Sequence, residues 1–252
     1  MIIDVHAHLF RDRDYNESFL AECRRAGIDK ICAFLSGGVS TGRIEDEPNR
    51  EALELRGAHP ESVIAFARVD HAEGEKAVKQ LEYCVEELNM RGLKLSFTVK
   101  ATDPTLFPIV DKAAELKIPI LFHAFMGRDT RPERDERFPG ESDAMEIAEL
   151  ARRFPEAMII MAHFNLGDWE YGIKAVKSTP NIYPCTSGSG IDADSTEMAV
   201  REVGAERVIF GTDNSIYASL GKIYGAHISD QDRRLILGEN LLKLLTRRGA
   251  LS

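Results

Sequence analysis

Positive charge is in short supply in this chain: 32 lysines and arginines face 41 aspartates and glutamates, a formal net charge of −9. That balance excludes a dedicated nucleic-acid binder, which needs surplus cations against phosphates. It leaves room for a small anionic substrate held by a few local cations. No apolar run approaches the length of a membrane span, so no membrane partner is expected. The first residues lack a basic stretch followed by an apolar run and a cleavage site, and no secretory leader is expected either. Cysteine is sparse and scattered, at Cys23, Cys32, Cys84 and Cys185, without a C-x-x-C pair. Such spacing points to packed, reduced thiols rather than a disulfide framework. These absences favour a cytoplasmic protein. Linkers, low-complexity tracts and shifts of composition are missing too, so residues 1–252 read as one domain.

What the sequence does hold is alternation. Short apolar runs at 2–8, 28–35, 62–69, 91–97, 118–124, 157–163, 181–186 and 207–212 read as strands. Helical patterns lie between them, and a last one over 229–248 closes the chain. Eight units of about 31 residues have the spacing of βα repeats. The expected class is α/β, a single-domain (β/α)8 TIM barrel with a C-terminal helix. A doubly wound open sheet is the competing architecture. Two connections, 36–48 and 125–141, are longer than a βα loop needs. Both leave the C-terminal ends of strands, where barrel enzymes place their chemistry. The second carries Arg128, Arg131, Arg134 and Arg137 among acidic side chains. It fits a solvated loop and a substrate clamp equally well. In the clamp, Arg128 would pair bidentately with a substrate carboxylate.

Polar residues gather at the same strand ends. The chain opens IIDVHAH, and in an extended strand Asp4, His6 and His8 share one face. Lys94 lies in strand four, His123 ends strand five, His163 ends strand six and Asp213 ends strand eight. A lone histidine in an apolar strand is usually a hydrogen-bonded core residue. Four of them and an aspartate at one edge would converge around the axis of a barrel. Imidazole and carboxylate donors suit zinc, and also manganese or iron. Three histidines and one aspartate leave a position for water, whose pKa the ion lowers. The competing role for Asp213 is a helix cap in its T-D-N-S turn. His59, His71 and His227 fall in or beside loops and read as surface residues. Weaker pocket candidates are Phe10, Asp12, Asn165, Trp169, Ser187, Asn214 and Tyr217, each just past a strand end.

These motifs resemble the amidohydrolase superfamily of metal-dependent barrels. They are similar in particular to its amidohydrolase-2 branch, which contains aminocarboxymuconate semialdehyde decarboxylase. The resemblance runs through IIDVHAH, RGLKLSF, IPILFHA, FPEAMIIMAH, NIYPCTSG, ERVIFGTD and ILGENLLKLL, nearly the whole chain. It implies one divalent ion, zinc first and manganese second, held by His6, His8, His123 and Asp213. It implies that Asp213 also moves a proton and that His163 polarises substrate or water. For Lys94 it implies either of two roles. Carboxylated by CO2, the lysine would bridge a second ion; unmodified, it would meet the substrate. An ammonium beside a dication is costly unless an anion sits between them, which favours the substrate role. Two departures stand out: related sequences often read K-L-H-P where this one reads Lys94-Leu95-Ser96-Phe97, and Cys185 replaces a common acid.

The function first expected is hydrolysis of a C–O or C–N bond in a small carboxylated compound, open-chain or cyclic. A metal-activated water would attack, with Asp213 as general base and His163 polarising the substrate. Lys94, Arg128, Asn165, Trp169 and Asn214 are the candidate substrate contacts. The alternative is a non-oxidative decarboxylase, or a hydratase, of a small unsaturated or aromatic acid at the same site. A metal-dependent phosphoesterase or nuclease ranks lower. Related nucleases place glutamate at the Lys94 position, and phosphatases want D-x-H where this chain has Asp213-Asn214-Ser215. A vestigial scaffold would have lost ligands, and this sequence keeps every one. The expected partner is a small molecule, with a homodimer as the prior for assembly.

Overall fold

The computed structural model describes residues 1–36, 47–125, 140–188, 190 and 192–251. Its strands are β1 (Ile3–Leu9), β2 (Lys30–Leu35), β3 (Val63–Ala67), β4 (Gly92–Leu95), β5 (Pro119–Phe122), β6 (Met158–Met161) and β7 (Ile182–Pro184). They pair in sequence order, every pair parallel. Parallel neighbours need long crossovers, and helices supply them. The helix Ala144–Arg153 shows the local logic: Asp143 and Glu146 form a reciprocal capping box at its start.

The run expected as an eighth strand, 207–212, makes only one bridge, Cys185 to Ile209. It still closes the ring. On the β7 side Ile209 N donates to Pro184 O and Thr186 N to Ile209 O, and on the β1 side Val5 N donates to Phe210 O and Asp213 N to His6 O. The ladder lapses because Phe210 N turns to Ile236 O of the C-terminal helical region instead. The architecture is the expected TIM barrel, with an irregular eighth position.

Alternate strand residues fill the barrel: Cys32 and Phe34, Ile64 and Phe66, Leu121, Met158 and Ile160 form one buried cluster. Gly92 leaves room for Phe66, since a Cβ there would stand 2.5 Å from its ring. The opposite faces, with Ala33, Ala65, Leu93, Ile120 and Ile159, pack against the helices.

The expected common face for Asp4, His6 and His8 is corrected by a bulge. The register of β1 against β2 shifts between Asp4 and Ala7, where the Asp4 carboxylate accepts the His6 N–H at 2.8 Å. Below the bulge Ile3 and Val5 join the interior cluster; above it Ala7 and Leu9 join the outer one. His6 and His8 therefore reach the interior at the mouth, and Asp4 turns to the seam with the eighth segment.

The C-terminal helix is also less regular than expected. It runs as Asp230–Arg234, a π turn over Leu235–Glu239, and Asn240–Leu245. Gly238 there packs on Met1 O, 2.5 Å from where a Cβ would be. Leu241, Leu244 and Leu245 plug the N-terminal end of the barrel. All four cysteines are buried free thiols. Among the described residues, no helix is long and apolar enough to cross a membrane. Arg128, Arg131, Arg134 and Arg137, and with them the clamp expected of Arg128, lie outside the described residues.

Candidate metal centre

At the mouth of the barrel His6 Nε2 and His8 Nε2 stand 3.1 Å apart. Asp213 Oδ1 lies 2.9 Å from His8 Nε2 and 3.6 Å from His6 Nε2. These three ligand atoms fall within 4.8 Å of one another. Asp213 and Asn214 are both left-handed, with φ of 51° and 59°. Strain of that kind collects at functional sites. Asp213 is not the cap of the following helix, Ile216–Gly225, whose N-cap is Ser215.

The residues flanking Asp213 lock it to β1. Thr212 donates to the Asp4 carboxylate from its amide at 2.8 Å and from its hydroxyl at 2.6 Å. Burial holds the Asp4 carboxyl up at about 6, against the bonds from Thr212 and His6. Asn214 Oδ1 accepts from His8 N at 2.8 Å, while its Nδ2 donates to His8 O at 2.9 Å and to Tyr15 Oη at 3.1 Å. Asn214 is thus a clamp on the ligand strand.

Lys94 is buried, with Nζ 3.2 Å from His6 Nε2 and 5.1 Å above the Phe34 ring centre. Burial brings its ammonium down to about 7, against the attraction of Asp213 and with help from Arg68. Burial also pushes His6 well below the usual imidazole range, and Lys94 and the other histidines add to it. His8 is lowered by burial too, although its bond to Asp213 opposes the shift. Burial raises Asp213, but His8, His163 and Lys94 outweigh it and set the carboxyl at about 2. Two neutral imidazoles and one carboxylate therefore converge at neutral pH. That donor set fits a divalent ion.

His163 sits in a short turn, Ala162–Phe164, and His163, Phe164 and Asn165 are left-handed in succession. Gly172 of the helix Trp169–Val176 makes space for this turn: a Cβ there would meet Phe164 O at 2.0 Å. Asn165 is fully buried, its Oδ1 accepting from Ala144 N and its Nδ2 donating to Asp168 O. It too is a clamp, its amide tied to backbone on both sides. Burial lowers His163 to about 3, with His123 adding repulsion. His123 stands outside the compact trio, its Nε2 3.6 Å from Glu141 Oε1 and its ring edge-on to His163, centres 5.1 Å apart.

A cavity of about 330 Å³ opens beside His163 and Ser187, with Trp169, Asp192 and Lys222 in its walls. The other rim candidates do different work. Asp12 caps the helix Arg13–Arg25, Phe10 and Tyr217 are exposed, and Tyr217 donates to Glu22. Arg68, unsuspected in the run AFARV, is a buried cation just past β3. It donates to Leu35 O at 2.6 Å and to Ser96 Oγ at 3.3 Å. Ser96 is the residue where related sequences often have histidine, so here a guanidinium is tied to that position. Sequence alone carries a signal for Arg68 only as a charge interrupting an apolar strand.

A barrel with ligating side chains at the C-terminal ends of its strands defines a class of metal-site proteins. Within that class the family model described as "Amidohydrolase" matches residues 3–247, and the chain belongs to this amidohydrolase-2 family. A search of curated proteins returned no match. Among solved structures, 2,6-dihydroxybenzoate decarboxylase from Rhizobium is similar, with TM-score 0.77 and 19% identity over 98% of this chain and 99% of that one. Dihydroxybenzoic acid decarboxylase from Polaromonas, solved with manganese, gives TM-score 0.76 and 18% identity over 99% and 98%. The 4-oxalomesaconate hydratase from Rhodopseudomonas palustris gives TM-score 0.74 and 16% identity over 98% and 96%. At these identities the likeness establishes the fold.

Proposed function

We propose that this chain is a metal-dependent, non-oxidative decarboxylase of a small aromatic or unsaturated acid. The observation that carries this reading is Lys94, a buried amino group brought down to about 7 by burial, whose partner at 3.2 Å is the imidazole of His6 rather than a carboxylate. Charge balance next to a dication calls for an anion between them, and an acidic substrate brings one. The similar structures named for dihydroxybenzoate decarboxylation and oxalomesaconate hydration support the same direction. Zinc or manganese, held by His6, His8 and Asp213 with His123 as a candidate fourth ligand, would supply Lewis acidity to the bound acid.

The side chains of the protein do the rest. Trp169 offers a flat wall to an unsaturated skeleton, and Lys94 orients the anionic group. Asp213 takes up a proton and passes it to the carbon as that carbon's bond to the carboxylate breaks. The electron pair of the broken bond forms the new C–H bond, and CO2 leaves. His163, neutral at pH 7, stabilises negative charge on the substrate by hydrogen bonding.

Protein loaded with zinc or manganese is tested against hydroxybenzoates and unsaturated diacids by measuring CO2. Release matching substrate loss, and abolished in Asp213→Asn, is the expected result; turnover without CO2 would replace the reading with hydration or hydrolysis. One observation favours hydrolysis: His123 and His163 stand together where a second ion would be held if Lys94 carried CO2. Metal analysis separates the two, with one ion per chain expected here and two expected for the hydrolase.

A further inference from the structure

Ser187 sits where three protons must be shared. Its Oγ lies 3.0 Å from His6 Nδ1, 3.2 Å from His163 Nδ1 and 3.3 Å from the His163 amide nitrogen. A hydroxyl has one proton to give and two lone pairs to accept with. The amide can only donate, so it occupies one lone pair.

His6 occupies the other. Its Nε2 faces Lys94 Nζ at 3.2 Å, which has N–H groups to donate whether it is ammonium or amine, so Nε2 is the acceptor there. An imidazole that accepts at Nε2 is the neutral ring, since both nitrogens of an imidazolium donate. Its one proton is therefore on Nδ1 and goes to Ser187. A cation bound at Nε2 would require the same tautomer. With both lone pairs in use, the Ser187 hydroxyl proton goes to His163 Nδ1. The Cys185 thiol also neighbours Ser187, but burial pushes it up to about 11. A protonated thiol is a weaker acceptor than an imidazole nitrogen.

We propose that Ser187 is a positioning residue that fixes His163 as the Nε2–H tautomer. His163 then meets the substrate as a hydrogen-bond donor and not as a base. The packing leaves little freedom, since a Cβ on Gly188 would stand 3.1 Å from His163 Nδ1. Asp213 Oδ2 also faces His163 Nδ1, but at 4.0 Å it lies beyond hydrogen-bond reach while Ser187 Oγ is at 3.2 Å; only what His163 does with its proton rests on the proposed decarboxylation.

The test is long-range proton–nitrogen correlation NMR on full-length protein labelled with 15N-histidine, metal-free and zinc-loaded, with His163 assigned from a His163→Gln sample. The wild type should show His163 as one neutral tautomer protonated on Nε2, and His6 protonated on Nδ1. In Ser187→Ala, His163 should become a mixture of tautomers, and Ser187→Thr, which keeps the hydroxyl, should restore the single form. A merely structural serine would leave the tautomer unchanged in the alanine variant, and that result overturns the proposal. So does a wild-type His163 protonated on Nδ1, a reading that stands even if the alanine variant fails to fold. Failure of the decarboxylase reading shows separately, as absent CO2 with the tautomers as stated.

Discussion

Lys94 and an incoming metal ion contend for the same nitrogen, His6 Nε2. A unit charge about 4 Å from another is worth roughly 4 kcal/mol at an effective dielectric of about 20. With Lys94 at about 7, Lys94→Met should therefore bind zinc or manganese more tightly than the wild type below pH 7, by about tenfold at pH 6, and nearly alike above pH 8, in a chelator-competition titration. If the wild type instead carries CO2 on Lys94, the variant binds more weakly, and bicarbonate strengthens only the wild type. The histidines set a second expectation. His6 and His8 are held below the ordinary imidazole value of 6.5, whereas in the unfolded chain they titrate normally. Below that pH the unfolded state binds more protons than the folded one, so stability rises with pH towards 6.5 and falls on acidification. Urea unfolding of the metal-free protein between pH 5 and 8 should show that slope, and His6→Gln should flatten it. The residues of the site were legible because each lies at the end of an apolar strand. Asn165 and Asn214 stand out for the same reason, polar and on the rim, but that their amides serve backbone 21 and 206 positions away was not legible. Nothing local in a sequence records such partners.

At the scale of elements, the site is a seam between β1 and the eighth segment, and two clamps hold it. Asn214→Ala removes the reciprocal bonds to His8 and should cost about 1–3 kcal/mol of stability, with weaker metal binding beyond that of a distant control of equal stability. Equal metal affinity would show that the clamp does not set the ligands. The turn bearing His163 depends on space left by the helix Trp169–Val176. Gly172→Ala would press on Phe164 O and cost about 1–3 kcal/mol by overpacking. Calorimetry measures the loss, and His163 resonances should shift while those of His8 do not. The bulge in β1 was invisible to an alternation rule. That rule assumes ladder bonds, and here the Asp4 carboxylate takes the place of one. The eighth strand was overestimated in a related way, since its apolar run is real but one of its amides is claimed by the C-terminal region.

For the molecule as a whole, strand order and barrel class followed from the repeat of apolar and amphipathic runs, a signal spread along the entire chain. Its loop chemistry did not, because what a loop residue touches depends on folding and not on local pattern. The bound ion should stabilise the whole barrel, by about 2.7 kcal/mol at a free concentration a hundred times its Kd. A thermal scan with and without chelator checks this, and Asp213→Ala should abolish the difference. The seam also dictates an order of events. His6 and His8 leave the ribosome some two hundred positions ahead of Asp213. At roughly 5–20 residues per second, that interval is about 10–40 s. Throughout it, two imidazoles wait without their carboxylate, while Leu241, Leu244 and Leu245, the plug of the barrel's floor, are made later still. A site made of all three residues is thereby deferred until this late segment is made: the nascent barrel must find its shape first and the proposed ion afterwards.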